Sequence, residues 1–309
     1  MATWMGLVAD WIKPIWHYIR TGVMGGGYVQ VDETPVKYLE PGNGKTKQGY
    51  LWVVSKPGKE ACFHWYPSRA AACLEKIIPV DFSGIMQCDG YAAYPAFARE
   101  RDITLAGCWA HARRGFHEAL EYAPQQAGWI VRQIQHLYWI EKHLRQIKAG
   151  PRLREAVRAS QSRPVVERIH KAILRWKSKH RFLPQSVMGK AIEYALGQWR
   201  ALSVYLADGR VEIDNNLVEN AIRPTALGKK NWLFFGGETM GERGAIIYTI
   251  IESCRRHGVD PFLYLRDVLT RLPKMTNWDL EKTDLTPAGW AKEQRQNQQA
   301  AAFKTSYAS

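Results

Sequence analysis

Through the first twenty positions apolar residues recur at steps of three and four: Trp4, Val8, Trp11, Ile12, Ile15, Trp16 and Ile19. That period puts them on one side of a helix. Asp10 and Lys13 interrupt the run, and no small-residue cleavage site follows a basic start. A packed amphipathic helix is therefore expected, and not a signal peptide. Gly22 and Gly25-Gly26-Gly27 end it. From Tyr28 the pattern changes. Tyr28–Val31, Tyr50–Val54 and Cys62–Tyr66 read as strands, with Pro57-Gly58-Lys59-Glu60 turning the last two into a hairpin. Pro41-Gly42-Asn43-Gly44 marks a loop after the first. Ser68 offers a cap to a helix reaching Ile78; a short buried strand, Gly84–Cys88, a helix, Tyr94–Arg101, and a strand, Ile103–Ala106, follow. Three strands in a meander and then α-β-α-β is the order of a ribonuclease H-like fold, although periodicity alone specifies only α+β or α/β.

Between Trp109 and about Leu206 the pattern holds no strand. It predicts helices broken at Pro124, Gly150-Pro151, Pro164, Pro184 and Gly197. A further helix is expected over Glu242–His257, with Gly258 in the left-handed position beyond its end. Asp260-Pro261 supplies an N-cap and a first-turn proline for a helix to Arg271, which Pro273 stops. The polar tail from Thr276, rich in Gln, Ala and Lys, is expected to be disordered. No internal repeat is present.

A length of 309 residues fits two domains, or one large domain with an insertion. With 46% hydrophobic and 23% charged residues, a mainly disordered or fibrous chain is excluded. Lys and Arg number 43 against 29 Asp and Glu, a net charge of +14 that favours polyanionic partners. Within residues 141–181 there are 13 Lys or Arg against Glu141, Glu155 and Glu167, so most of the excess sits in one helical block. No apolar stretch is long enough to span a membrane. The five cysteines, Cys62, Cys73, Cys88, Cys108 and Cys254, form no C-x-x-C pair and read as reduced thiols of a cytosolic protein without structural zinc.

Three acidic residues carry candidate chemistry. Asp32 is expected to end the first strand, Asp89 ends the fourth, and Glu219 lies on the helix that follows Ile213-Asp214-Asn215-Asn216. Strand-end carboxylates of neighbouring strands can converge on one sheet edge, and Mg²⁺ takes carboxylates together with water and phosphate oxygens. Each has a plainer explanation as well: an Asp after a strand is commonly a turn residue, and surface glutamates on helices are common. Asp214 reads as the N-cap of the Glu219 helix. Asn215, Glu219 and Arg223 fall four residues apart on one face, so Arg223 either meets a phosphate or pairs with Glu219.

Taken together these strings resemble a family, the DDE-type transposases of the insertion sequence 66 family, over about Val29 to Pro273. The matching strings are Asp32-Glu33-Thr34-Pro35-Val36, Gly49-Tyr50-Leu51-Trp52, Cys88-Asp89-Gly90-Tyr91 and Gly107-Cys108-Trp109-Ala110-His111-Ala112-Arg113-Arg114. They continue through Ile213–Asn216, Glu219-Asn220-Ala221-Ile222-Arg223-Pro224, Gly228-Lys229-Lys230-Asn231-Trp232-Leu233-Phe234, Asp260-Pro261 and Tyr264–Leu269. The resemblance implies an α/β fold with a ribonuclease H-like core, a helical insertion before the last catalytic helix, and a helical C-terminal segment. It implies an acidic triad of Asp32, Asp89 and Glu219 holding two Mg²⁺ ions, with Mn²⁺ as the alternative ion. It also implies cleavage and strand transfer at element ends, DNA ends and target DNA as partners, a homo-oligomer on DNA, accessory transposition proteins, and a bacterial, nucleoid-associated, cytoplasmic location without membrane contact.

The expected organisation is an N-terminal helix and linker (1–27), the first part of the core (28–124), a basic insertion (125–206), the last catalytic helix with the following core segment (207–240), a C-terminal helical segment (241–275) and the tail (276–309). Members of the family it resembles usually carry a long N-terminal region with a zipper, a helix-turn-helix and a Cys-rich segment, so an N-terminally truncated member, or the fragment left after a frameshift, is expected, with weak sequence preference. His111, Arg113 and Arg114 are expected either near the scissile phosphate, where Arg forks suit phosphate oxygens, or as a solvated helix start. His111 is not expected as a metal ligand, because Mg²⁺ favours oxygen. Lys229 and Lys230 grip DNA backbone or form a solvated turn. Arg168, Lys171, Arg175 and Lys177 of the basic block are the candidate phosphate-tracking surface. Two other functions fit the same residues: a ribonuclease H-like nuclease without strand transfer, and a non-catalytic DNA-binding remnant.

Overall fold

Local patterning accounts for most of the elements in the computed structural model, which describes residues 2–40, 42, 44–276, 279 and 282–306. In chain order they are α1 (Ala2–Met24), β1 (Tyr28–Leu39), β2 (Thr46–Ser55), β3 (Ala61–Tyr66), α2 (Ala71–Ile77), β4 (Gly84–Gln87), α3 (Ala93–Ala98), β5 (Ile103–Ala106) and α4 (Trp109–Glu118). There follow α5 (Pro124–Gln146), α6 (Pro151–Val157), a π-helical turn (Arg158–Ser162), α7 (Arg163–Ser178), α8 (Val187–Gly197), α9 (Trp199–Ser203) and a 3₁₀ turn (Val204–Leu206). The last are α10 (Asn216–Trp232), β6 (Phe234–Phe235), α11 (Glu238–His257), α12 (Pro261–Arg271) and α13 (Pro287–Ser306). The fold is mixed α/β. Among the described residues no helix is long and apolar enough to cross a membrane. The chain forms two compact units, Met1–Pro79 with Val218–Ser309, and Val80–Leu217.

In the first unit β1, β2 and β3 form an antiparallel meander, with Asp32 opposite Val53 and Trp52 opposite His64. β6 adds to β1 in parallel. The Lys56–Glu60 turn closes through Lys59 N to Lys56 O, and Gly58 supplies its left-handed residue at φ 70°. On the side of β3 away from β2, the Phe63 N–H donates to Thr249 Oγ1 of α11 at 2.9 Å, and the Phe63 carbonyl accepts from Trp16 Nε1 of α1 at 3.0 Å. Two helices thus satisfy an edge that would otherwise be open to another chain. Trp65 of β3 fits only because its neighbours lack side chains. A Cβ on either Gly49 or Gly241 would come within 2.5 Å of its ring.

Three expectations change here, for β1, the tail and α1. β1 runs on to Leu39, so Asp32 stands inside the strand and does not end it. Thr34, Val36 and Tyr38 are buried while Pro35 and Lys37 are exposed; the alternation is genuine, but Asp-Glu-Thr-Pro hides it among turn-forming residues. The helix carrying Glu219 continues through Pro224 to Trp232. Its buried stripe of Val218, Ala221, Ile222 and Thr225 spans the proline, and tertiary packing outweighs the roughly 3 kcal/mol penalty. The tail expected to be disordered carries α13, where Trp290 Nε1 donates to Asp267 Oδ2 and stacks edge-on to Tyr264. In α1 the buried stripe is Ala9, Ile12, Ile15, Ile19 and Val23, while Trp4 and Trp11 are exposed.

The second unit sets β4 and β5 in parallel, with Gln87 opposite Ala106. Its helices pack through Ile130, Ile134, Leu137 and Ile140 of α5, Val165, Ile169 and Ile173 of α7, and Met188 and Ile192 of α8, all buried. The prolines that break the sequence pattern start helices: Pro124, Pro151 and Pro164 all occupy first-turn positions.

His64 lies in the core beside the Trp16 ring, 4% exposed, and its Nε2 meets no hydrogen-bond partner. Burial, and then the Arg20 charge, push its imidazole from the ordinary 6.5 down to about 3. The unfolded chain therefore takes up the proton first, and stability present above pH 6.5 declines as the pH falls toward 3. At about pH 5 this amounts to about 2 kcal/mol. Denaturant titrations of His64→Leu across this range should show a flatter pH dependence than wild type; parallel curves would contradict the assignment.

Candidate active site

In the first unit the sheet face and α10 carry most of the expected residues. Asp32 shares its face of β1 with Thr34, Val36 and Tyr38, since alternate residues point the same way. Val218, Ala221 and Ile222 of α10 pack in one core cluster with Val36, Tyr38, Leu51 and Val53. α10 is fastened to β1 a second time by Lys229, whose Nζ donates to the Pro35 carbonyl at 3.0 Å and to Thr34 Oγ1 at 3.3 Å. Asp32 and Glu219 therefore belong to two elements held together by apolar packing and by this lysine. Both carboxylates are half-buried; Arg223 and Lys230 are exposed on α10. Lys229 and Lys230 stand in the last helical turn and not in a loop.

In the second unit Asp89 lies two residues beyond β4, half-buried, and its Oδ1 accepts from Tyr91 N at 2.9 Å. Gly90 has no side chain because Tyr194 of α8 presses against it; a Cβ there would lie 2.7 Å from the Tyr194 ring. Burial first, and the negative charge of Asp89 among lesser causes, raise the Tyr194 hydroxyl above its usual range. It therefore stays a neutral neighbour of the carboxylate. His111 and Arg113 are half-buried in the first turns of α4, and Arg114 is exposed. The α4 start is fixed by Trp109 N donating to the Ile213 carbonyl at 3.2 Å and Trp109 Nε1 to the Leu202 carbonyl at 2.9 Å.

Asp214 stands two residues before α10, and its side chain satisfies the first N–H of that helix. Its Oδ1 accepts from Asn216 N at 3.1 Å, and its Oδ2 accepts from Asn216 Nδ2 at 2.9 Å and from Tyr138 OH at 2.7 Å. Burial raises the Asp214 carboxyl and the Tyr138 bond opposes that rise. Asn215, the residue before the helix, is fully buried, and neither its Oδ1 nor its Nδ2 meets a hydrogen-bond partner. A buried amide without partners is costly. It stands one turn before Glu219, and its oxygen is a donor of the kind a hard divalent cation takes. Taken unit by unit, the oxygens of Asp32 and Glu219 in the first and of Asp89 and Asn215 in the second are each of a kind that Mg²⁺ takes. Tyr138 and Tyr194 carry no signal in the sequence, being uncharged aromatic residues on helices; Asn215 is marked there only by its spacing to Glu219 and Arg223.

The basic block divides once its pairing is known. Arg158 is fully buried and Arg154 nearly so, both paired with Glu141. Arg145 pairs with Glu212, and Lys177 with Glu193 of α8. Arg168, Lys171 and Arg175 are exposed along the side of α7 opposite its buried Val165, Ile169 and Ile173.

Residues 1–243 match the family described as Transposase IS66 family, and residues 249–287 match the IS66 C-terminal element. The chain belongs to the IS66 transposase family. It is 34% identical over 289 residues to y4qI, an uncharacterized protein of Sinorhizobium fredii, covering 88% of this chain and 52% of that protein. It is 32% identical over 309 residues to a second, y4jD, of the same organism, covering 95% of this chain and 60% of that protein. The chain thus spans between half and two thirds of the length of these curated relatives.

If the exposed face of α7 tracks phosphates, changing Arg168, Lys171 and Arg175 together to Gln should flatten the salt dependence of DNA binding by about 0.9 for each phosphate no longer neutralised. Lys177→Gln alone should change it less, because Glu193 already neutralises that charge. An unchanged slope in the triple variant would make α7 a solvated face.

Proposed function

We propose that this chain is the catalytic portion of a DDE-type transposase built on a ribonuclease H-like core, with Asp32, Asp89 and Glu219 as its acidic triad. Membership of the family supports the class. The observation that carries the site is that each carboxylate is half-buried at a structurally fixed address. Asp32 lies on the β1 face that α10 covers, Asp89 in the turn after β4, and Glu219 in the first turn of α10. A carboxylate at such a place is reachable by substrate and still sheltered enough for its charge to count.

The proposed reaction is two in-line displacements at phosphorus. Water attacks first and frees a 3′-OH at the element end; that 3′-OH then attacks a phosphate of target DNA and displaces its 3′ oxygen. The triad would hold two Mg²⁺ ions, which supply activation of the attacking oxygen and charge neutralisation at the leaving one. The chain's own groups do the positioning. Asn215 presents an amide beside Glu219. Arg223 and Lys230 offer charge to phosphate oxygens from the exposed side of α10, and His111, Arg113 and Arg114 do so from α4. Lys229 serves differently, its ammonium being committed to β1 and so holding α10 against the strand of Asp32. Positioning and charge stabilisation supply the rate, as in other phosphoryl transfers. DNA is the partner, with oligomerisation on DNA and accessory proteins part of the same proposal.

The test uses a duplex with a pre-cleaved 3′-OH end, a supercoiled target and Mg²⁺. Wild type should give joined product. Asp89→Asn should retain DNA affinity and give none, because a neutral amide is a poorer Mg²⁺ ligand. Joining by Asp89→Asn at the wild-type rate would remove Asp89 from the site. Nicking without joining by wild type would indicate a nuclease, and binding without either would indicate a DNA-binding remnant.

A further inference from the structure

Arg158 and Glu141 are both 0% exposed. Arg158 Nε donates to Glu141 Oε1 at 2.7 Å and Nη2 to Glu141 Oε2 at 2.8 Å. Its remaining hydrogens go to three carbonyls: Nη1 to Tyr205 at 2.7 Å and Asp208 at 3.0 Å, and Nη2 to Val211 at 2.9 Å. All five guanidinium donors are used. The three carbonyls belong to one segment, the 3₁₀ turn at 204–206 and the irregular backbone after it, which leads directly into α10.

The same segment is held from other sides. Arg154 donates to Glu212 at 2.9 Å and to Glu141 at 3.0 Å. Gly209 N donates to Glu155 Oε1 at 2.9 Å, and Gln87 Nε2 to the Glu212 carbonyl at 2.8 Å. Gly209 lies so close to α6 that a Cβ would overlap the Pro151 carbonyl. Tyr138 OH then grips Asp214, which in turn holds the first N–H of α10. Arg158 itself sits in a π-helical turn, a departure from α geometry that recurs at functional sites. Replacing a buried ion pair by apolar residues is often neutral for stability, so stability is weak grounds for keeping one. What apolar residues lack is the ability to orient three carbonyls at once.

We infer that Arg158 and Tyr138 are positioning residues for the reaction: the insertion acts as a clamp that sets where the Glu219 helix begins. The inference rests on the proposed role of Glu219. Its test uses the whole chain with Tyr138→Phe, which removes one hydroxyl, and Arg158→Met, which removes the hub. Amide hydrogen exchange over residues 216–223 should quicken about tenfold or more in both, the scale of one lost hydrogen bond to a charged group. Exchange in β1–β3 should stay at wild-type levels. In the joining assay Tyr138→Phe should stay folded with a slightly lower melting midpoint, keep its DNA affinity, lose about tenfold in rate with Mg²⁺, and regain part of it with Mn²⁺, because Mg²⁺ demands near-ideal octahedral geometry. Unchanged exchange over 216–223 in both variants would overturn the clamp, as would equal losses with the two metals that track a loss of DNA affinity. Should the wild-type chain join no DNA with either metal, the transposase proposal fails, while the exchange measurement still decides on the clamp.

Discussion

A guanidinium that is out of reach of water must find a protein acceptor for every N–H, and that requirement organises the second unit around Arg158. Removing one partner would leave an uncompensated buried charge, a cost of about 3–5 kcal/mol. Burial works to raise the Glu141 carboxyl, yet the bonds and charges of Arg158 and Arg154 hold it below its ordinary value. The Glu141 carboxyl is therefore ionised at neutral pH. Satisfying this one group ties α5, the π-helical turn and the segment before α10 to one another. The insertion between Asp89 and Glu219 is thus more than a charged surface, because its interior is built around the segment that leads into α10.

The first unit meets a different constraint, the open edge of a short sheet. Phe63 on β3 would expose an N–H and a carbonyl, and Thr249 and Trp16 take one each. Trp65 then locks β3 to α11, at the cost of side chains at Gly49 and Gly241. A sheet fixed this firmly is a suitable support for Asp32, whose position in mid-strand leaves it less freedom than a strand end would.

Much of this was legible in the sequence because the signals were local. The period of α1, the β1–β3 meander, Gly258 at the end of α11 and Asp260-Pro261 at the start of α12 all rest on spacing or on a capping residue. The family strings singled out Asp32, Asp89 and Glu219 as candidates before any fold was known. The failures have physical causes. Pro35 is a local breaker overruled by packing at β1. The Ala- and Gln-rich tail has high helix propensity, but the aromatic and acidic contacts that anchor α13 come from α12. Counting charge in residues 141–181 treated Arg158 as surface, because its five acceptors lie between 17 and 53 residues away. Tyr138 carried no charge to attract notice.

The central claim is that three carboxylates from separate parts of the chain hold a pair of divalent ions. The most direct measurement is the number of Mn²⁺ ions bound per chain on a duplex with a cleaved 3′ end, read by electron paramagnetic resonance. The account predicts two ions close enough for their spins to couple, as two-metal sites about 3.5–4 Å apart do. It also predicts that Asp32→Asn or Glu219→Gln abolishes the coupled signal while the DNA complex persists. A wild-type complex that binds no Mn²⁺, or the same coupled signal in both variants, would contradict it.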